Sequence, residues 1–130
     1  LVGYIYQRPC QPIEAVEEVL RLLAAAQRML LVSAASSSWL AEGVPAGIRR
    51  MTWEEADSEE WYYNRDLASE CDLLIVLGCE QAPLLANLLP PHCPQILINE
   101  TPSPDHPYDA QLIGPLSETV SLLWGGGDTR

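Results

Sequence analysis

Three short stretches of the chain are apolar almost without interruption: Met29–Ser33, the core of Cys71–Gly78, and Gln95–Asn99. A strand with only one buried face alternates apolar and polar residues. A run with no alternation predicts a strand covered on both faces, as in a parallel sheet. Ala110–Gly114 reads as a last short strand, and Leu1–Tyr6 has the residue types of a further one. Between these runs the period lengthens. From Ile13 to Gln27, Val16, Val19, Leu20, Leu23 and Ala24 recur at three- and four-residue steps, with Glu14, Glu17, Glu18 and Arg21 between them. That spacing predicts a helix, and Pro12 suits its first turn.

Met51–Trp53 reads as a short extended piece, and Ser58 as the cap of a helix over Glu59–Ser69, with acids in its first turn. Further helices are expected at Leu84–Leu89 and Ser117–Trp124, the latter closing the core with Trp124. Pro90, Pro91 and Pro94, and later Pro102, Pro104 and Pro107, mark loops. Strand and helix in alternation predict an α/β fold, a Rossmann-like parallel sheet of about four to six strands flanked by helices. Ligands of such sheets bind beyond the carboxyl ends of the strands. Here those ends are Ser33–Ser38, Gly78–Glu80 and Asn99–Thr101.

At 130 residues the chain is one domain, 1–130, with 125–130 expected to be a flexible tail. It begins at Leu1 and ends on Gly-Gly-Gly-Asp-Thr-Arg, the pattern expected of a piece of a larger protein. Eighteen acidic residues face seven basic ones, all Arg, for a net charge of −11. That field repels phosphate backbones, so direct nucleic-acid binding is not expected, whereas a basic protein surface is a match. No run approaches the ~18–20 apolar residues of a membrane span. Cys10, Cys71, Cys79 and Cys93 form no C-x-x-C pair and no disulfide framework, so no metal site is expected and an intracellular setting, nuclear or cytoplasmic, is.

The order of three segments carries a resemblance. Cys71-Asp-Leu-Leu-Ile-Val-Leu-Gly78, then Pro91-His-Cys-Pro-Gln-Ile-Leu-Ile-Asn99, then Tyr108-Asp-Ala-Gln-Leu-Ile-Gly114 resemble the C-terminal half of the sirtuin domain, closest to the class I animal type. Upstream, Arg28–Ser36, Gly43-Val-Pro45 and Arg49 resemble that family's first strand and the loop after it. The resemblance implies a reduced sirtuin fold of the DHS type. A long central stretch that sirtuins carry between the positions of Arg50 and Met51 is absent, and with it the catalytic His and the zinc module. The cofactor positions it implies are Ala34, Ala35, Ser36, Arg49, Gly78, Asn99 and Glu100.

The departures point away from catalysis. Ala34-Ala35-Ser36 stands where sirtuins have Gly-Ala-Gly, and each added Cβ opposes close approach of a pyrophosphate. Glu80 would face the cofactor's phosphates. His92 and His106 sit in Pro-rich loops and read as solvated, and Cys79 reads as a buried structural thiol. The expectation is therefore a pseudoenzyme with no cofactor, acting as a protein-interaction or self-association scaffold, with an open sheet edge as one contact surface. Trp53, Glu54, Glu55, Trp61 and Tyr62, aromatic and acidic together, are the candidate partner-binding residues. The alternatives are a sensor with weak NAD or ADP-ribose binding through Asn99, and a deacylase completed by a partner chain.

Overall fold

The structure, a computed structural model, describes residues 3–6, 12–33, 48–63, 71–79, 81–104, 106–116, 119–120 and 123. The expectations for 34–47, 64–70, Glu80, Trp124 and the 125–130 tail lie outside the described residues.

The expected α/β architecture is present. The elements run β1 (Gly3–Tyr6), α1 (Pro12–Ala25), β2 (Met29–Ser33), β3 (Arg49–Thr52), α2 (Trp53–Ala56), a 3-10 turn (Glu59–Tyr62), β4 (Leu73–Leu77), α3 (Leu84–Leu88), β5 (Gln95–Asn99) and β6 (Ala110–Ile113). Residues 116, 119, 120 and 123 are helical beyond β6. The sheet order is β1-β6-β5-β4-β2-β3. Strands β2 to β6 are mutually parallel, and β1 adds to β6 in the antiparallel sense.

The uninterrupted apolar runs have a simple geometric reading. Successive side chains of a strand point to opposite faces. Leu31, Leu73, Ile75, Leu77, Ile96, Ile98 and Leu112 therefore share one face with Val19 of α1 and with Val120 and Leu123. Leu30, Val32, Leu74, Val76 and Leu97 share the other with Ala56 of α2 and with Leu85 and Ala86 of α3. The domain is three layers, and β4, buried along its whole length, is its centre.

Three boundaries differ from the periodicity, each for a local reason. Helix α1 ends at Ala25 rather than Gln27, because the Asp72 carboxylate takes the N–H groups of Gln27 (2.8 Å) and Arg28 (2.9 Å) and turns the chain into β2. Strand β3 spans Arg49–Thr52, and Trp53 opens α2 instead of ending the strand. Thr52 is the cause: its hydroxyl accepts from Glu55 N–H while the Glu55 side chain accepts from Thr52 N–H, a reciprocal capping box. Ser58 does act as a cap, accepting from Glu60 N–H, but the described part of the capped element is the tight 3-10 turn Glu59–Tyr62.

Candidate functional site at the carboxyl edge of the sheet

Taken in chain order, the five parallel strands are arranged 2-1-3-4-5, so the winding reverses between β2 and β4. Sheets of this order place their ligand crevice there, beyond the strand ends. Ser33 and Leu77, paired in register, flank that point, and Gly78 comes next in the chain. Gly78 has φ 75°, in the left-handed region, while its N–H still donates to Ile98 O at 2.8 Å. A Cβ at that position would be strained, which accounts for glycine.

One strand over, the loops after β4 and β5 enclose a cleft of about 590 Å³. Its polar lining comes from Gln81, Asn87 of α3, Thr101, Ser103 and His106, with no Arg among the described residues that line it. The far wall is held by a buried amide. Gln111, on β6, accepts from Ser103 N–H (2.8 Å) and donates to Ser103 O (3.0 Å). Asn99, 7% exposed at the end of β5, turns its amide N–H onto Thr101 O (3.1 Å) and Oγ1 (3.3 Å).

His106 is not the solvated loop residue expected from sequence. It is half-buried, its Nε2 lies 2.6 Å from Gln95 Oε1, and its ring meets Tyr108 edge-on at 4.6 Å. Burial lowers its pKa, with Asp109 partly opposing, so the neutral imidazole is favoured. Gln95 in turn donates to Ala86 O (2.9 Å), linking the β6-side loop to α3. His92 is exposed, as expected, and Cys79 is buried, as expected.

Tyr108 is fully buried, and its hydroxyl has no hydrogen-bond partner among the described residues. Burial, together with the Cys79 thiol, pushes its pKa well above the usual phenol range. An orphan buried hydroxyl carries an uncompensated desolvation cost. Tyr108→Phe should therefore raise stability by about 1 kcal/mol in urea unfolding; a loss of that size would mean that the hydroxyl has a partner in solution.

The structure gathers only part of the residues predicted for cofactor binding. Gly78, Asn99 and Glu100 stand at the carboxyl edge, Glu100 exposed. Ala34, Ala35 and Ser36 lie outside the described residues. Arg49 is placed elsewhere. It opens β3 opposite Leu30, exposed, three residues before the strand's carboxyl end, a run of about 10 Å at ~3.3 Å per residue. A parallel strand keeps its first residue at the amino edge, so Arg49 is not positioned to offset negative charge at the cleft.

The predicted partner-binding residues divide by role. Trp53 and Trp61 are half-buried against the core, their indole N–H groups donating to Gln81 O (2.8 Å) and Glu55 O (2.9 Å). The Glu55 carboxylate caps α2, and the Thr52 hydrogen bonds hold its pKa below the usual carboxylate range. Asp57, in the same acidic stretch, accepts from Leu84 N–H (2.9 Å) and so caps α3. Glu54, Glu59 and Glu60 are exposed, as is Tyr63, at 88%. The side chain of Tyr62 lies outside the described part. Sequence reasoning passed over Gln111, and read Asp57 only as part of the acidic cluster with Glu54, Glu55, Glu59 and Glu60. The signal for Gln111 was a polar residue inside a run expected to be buried, which requires a partner.

With this geometry in place, comparison with known proteins adds one relationship. Part of the chain is similar to SIR2 histone deacetylases. It is 35% identical over 63 residues to the NAD-dependent histone deacetylase SIR2 of Kluyveromyces lactis, covering 45% of this chain and 9% of that protein. It is 36% identical over 58 residues to the SIR2 protein of Saccharomyces cerevisiae, covering 42% and 10%. The chain thus matches about a tenth of the length of these relatives. No protein-family model matches it. Among solved structures, one assigned to a thiamin diphosphate-dependent enzyme of Mycobacterium smegmatis superposes with a TM-score of 0.60 over 91% of this chain and 29% of that one, at 17% identity. That likeness is one of fold.

Proposed function

We propose that this domain is a shortened, sirtuin-like module that no longer catalyses deacetylation and works by binding a basic protein surface, within a nuclear or cytoplasmic assembly. The observation that carries the reading is the face formed by 54–63. Glu54, Glu59 and Glu60 are exposed there, and Tyr63 presents nearly its whole ring to solvent. Aromatic rings beside unburied carboxylates suit Arg- and Lys-bearing partners, and a net charge of −11 adds long-range attraction. Loss of catalysis is supported at the cleft, where His106, the imidazole that lines it, has its Nε2 engaged by Gln95. Self-association through the β3 edge has less support, because that strand exposes Arg49 and Arg50, charges of the kind that discourage edge pairing.

A second reading is favoured by the cleft itself. Its volume and neutral polar lining suit the sugar or base of NAD or ADP-ribose, with Asn99 beside it. One pair of titrations separates the two. A labelled Arg/Lys-rich peptide should bind by fluorescence anisotropy and weaken as salt rises. Glu59→Gln with Glu60→Gln and Tyr63→Ala should lower its affinity about tenfold or more. Calorimetry should give no saturable heat with NAD or ADP-ribose at millimolar ligand. Nucleotide binding abolished by Asn99→Ala, with no peptide binding, would establish the second reading in place of the first.

A further inference from the structure

Cys71 and Cys93 are far apart in sequence, and nothing in their spacing pairs them. The sheet brings them together. Cys71 leads into β4 and Cys93 into β5, adjacent parallel strands whose register begins at Leu74 opposite Gln95. Their sulfurs lie 3.8 Å apart, the Cys93 thiol donating to Cys71. Both are free and buried in the same apolar cluster, Cys71 8% exposed and Cys93 3%. Neighbouring and diagonal positions on paired strands place Cα atoms about 5–6 Å apart, the separation that an unstrained disulfide spans.

We propose that Cys71 and Cys93 form an oxidisable pair that hydrogen peroxide converts to a disulfide, bracing the base of the segment that walls the cleft. Cys71 is the thiol that reacts first. It has the larger opening to solvent, and the hydrogen bond from Cys93 lowers its pKa, while the same contact, followed by burial, raises that of Cys93. The Cys71 thiolate attacks one peroxide oxygen. The O–O bond breaks, hydroxide leaves and takes up a proton as water, and Cys71 becomes a sulfenic acid. The Cys93 sulfur then attacks the Cys71 sulfur. The S–S bond forms, the S–O bond breaks, and the departing hydroxide leaves as water with the Cys93 proton. Two thiols and one peroxide give one disulfide and two waters. Cys79 cannot substitute, because it lies past the opposite end of the five-residue β4, about 15 Å or more away.

The loop so closed holds β4, the Gly78 turn and α3, and with them Gln81 and Asn87 of the cleft. Closing a loop of this size restricts the unfolded chain, and should raise the Tm by roughly 5 °C or more.

The test is peroxide treatment of the folded protein carrying Cys10→Ser and Cys79→Ser, then alkylation, peptide mass mapping without reduction, and thermal melting. The expected result is a Cys71–Cys93 linked peptide, a raised Tm, and reversal of both by dithiothreitol. Cys93→Ala should instead leave a dimedone-reactive sulfenic acid at Cys71, and Cys71→Ala should leave Cys93 unmodified. Thiols that stay unmodified until the protein unfolds, oxidation that begins at Cys93, or a disulfide that leaves the Tm unchanged would each overturn the proposal.

Discussion

Ile75→Ala should lower the unfolding free energy by about 2–5 kcal/mol, a large fraction of the ~5–15 kcal/mol that holds a domain together. Ile75 lies midway along β4, the central strand, with no solvent exposure. It belongs to the cluster that joins the sheet to α1 and to the helical residues after β6, together with Leu31, Ile96, Val19 and Val120. Truncation removes the transfer free energy of the lost carbons and leaves a cavity that backbones paired on both sides cannot close. The urea midpoint is the readout, with Ile75→Val as the graded control at about 0.5–1.5 kcal/mol. A loss below about 1 kcal/mol for the alanine variant would mean that the sheet is not the cooperative core.

The second large effect belongs to the cleft. Gln111→Leu should destabilise the domain by about 2–3 kcal/mol, although it replaces a polar residue by an apolar one at a buried strand position. Gln111 meets both backbone polar groups of Ser103, and Ser103 is itself buried. Leucine fills the space but leaves that N–H and C=O without partners, and an unmet buried amide costs more than a made one gains. The consequence should be local as well as global. Amide exchange across 100–109 should accelerate more than exchange in β4, because the loop loses its anchor while the sheet stays paired. Equal protection of that loop in both proteins would show that Gln111 does not position the cleft wall.

Both substitutions alter one position of a short buried strand, and they differ in what the side chain touches. That contrast runs through the molecule. Trp53, Trp61, Glu55 and Asp57 stand in an aromatic and acidic stretch that suggests an exposed binding surface. Four hydrogen bonds turn them into structure instead: two indoles onto backbone oxygens, one carboxylate onto the start of α2, and another onto the start of α3. Glu54, Glu59, Glu60 and Tyr63, of the same stretch, are exposed.

The layering is legible in the amino-acid order alone. Uninterrupted apolar runs at Met29–Ser33, Leu73–Leu77 and Gln95–Asn99 have no stable place except inside a sheet covered on both faces, and helical periodicity at α1 supplies one cover. Burial is a property of local pattern, so it can be read one element at a time. The site is a property of pairing. Which strands are neighbours, and in what register, decided that Arg49 stands at the amino edge away from Asn99, and that Gln111 reaches Ser103. Pairing also drew His106 onto Gln95 and set Cys71 beside Cys93. Each of these contacts joins residues eight or more positions apart, a separation at which side-chain periodicity carries no information and only the folded sheet does.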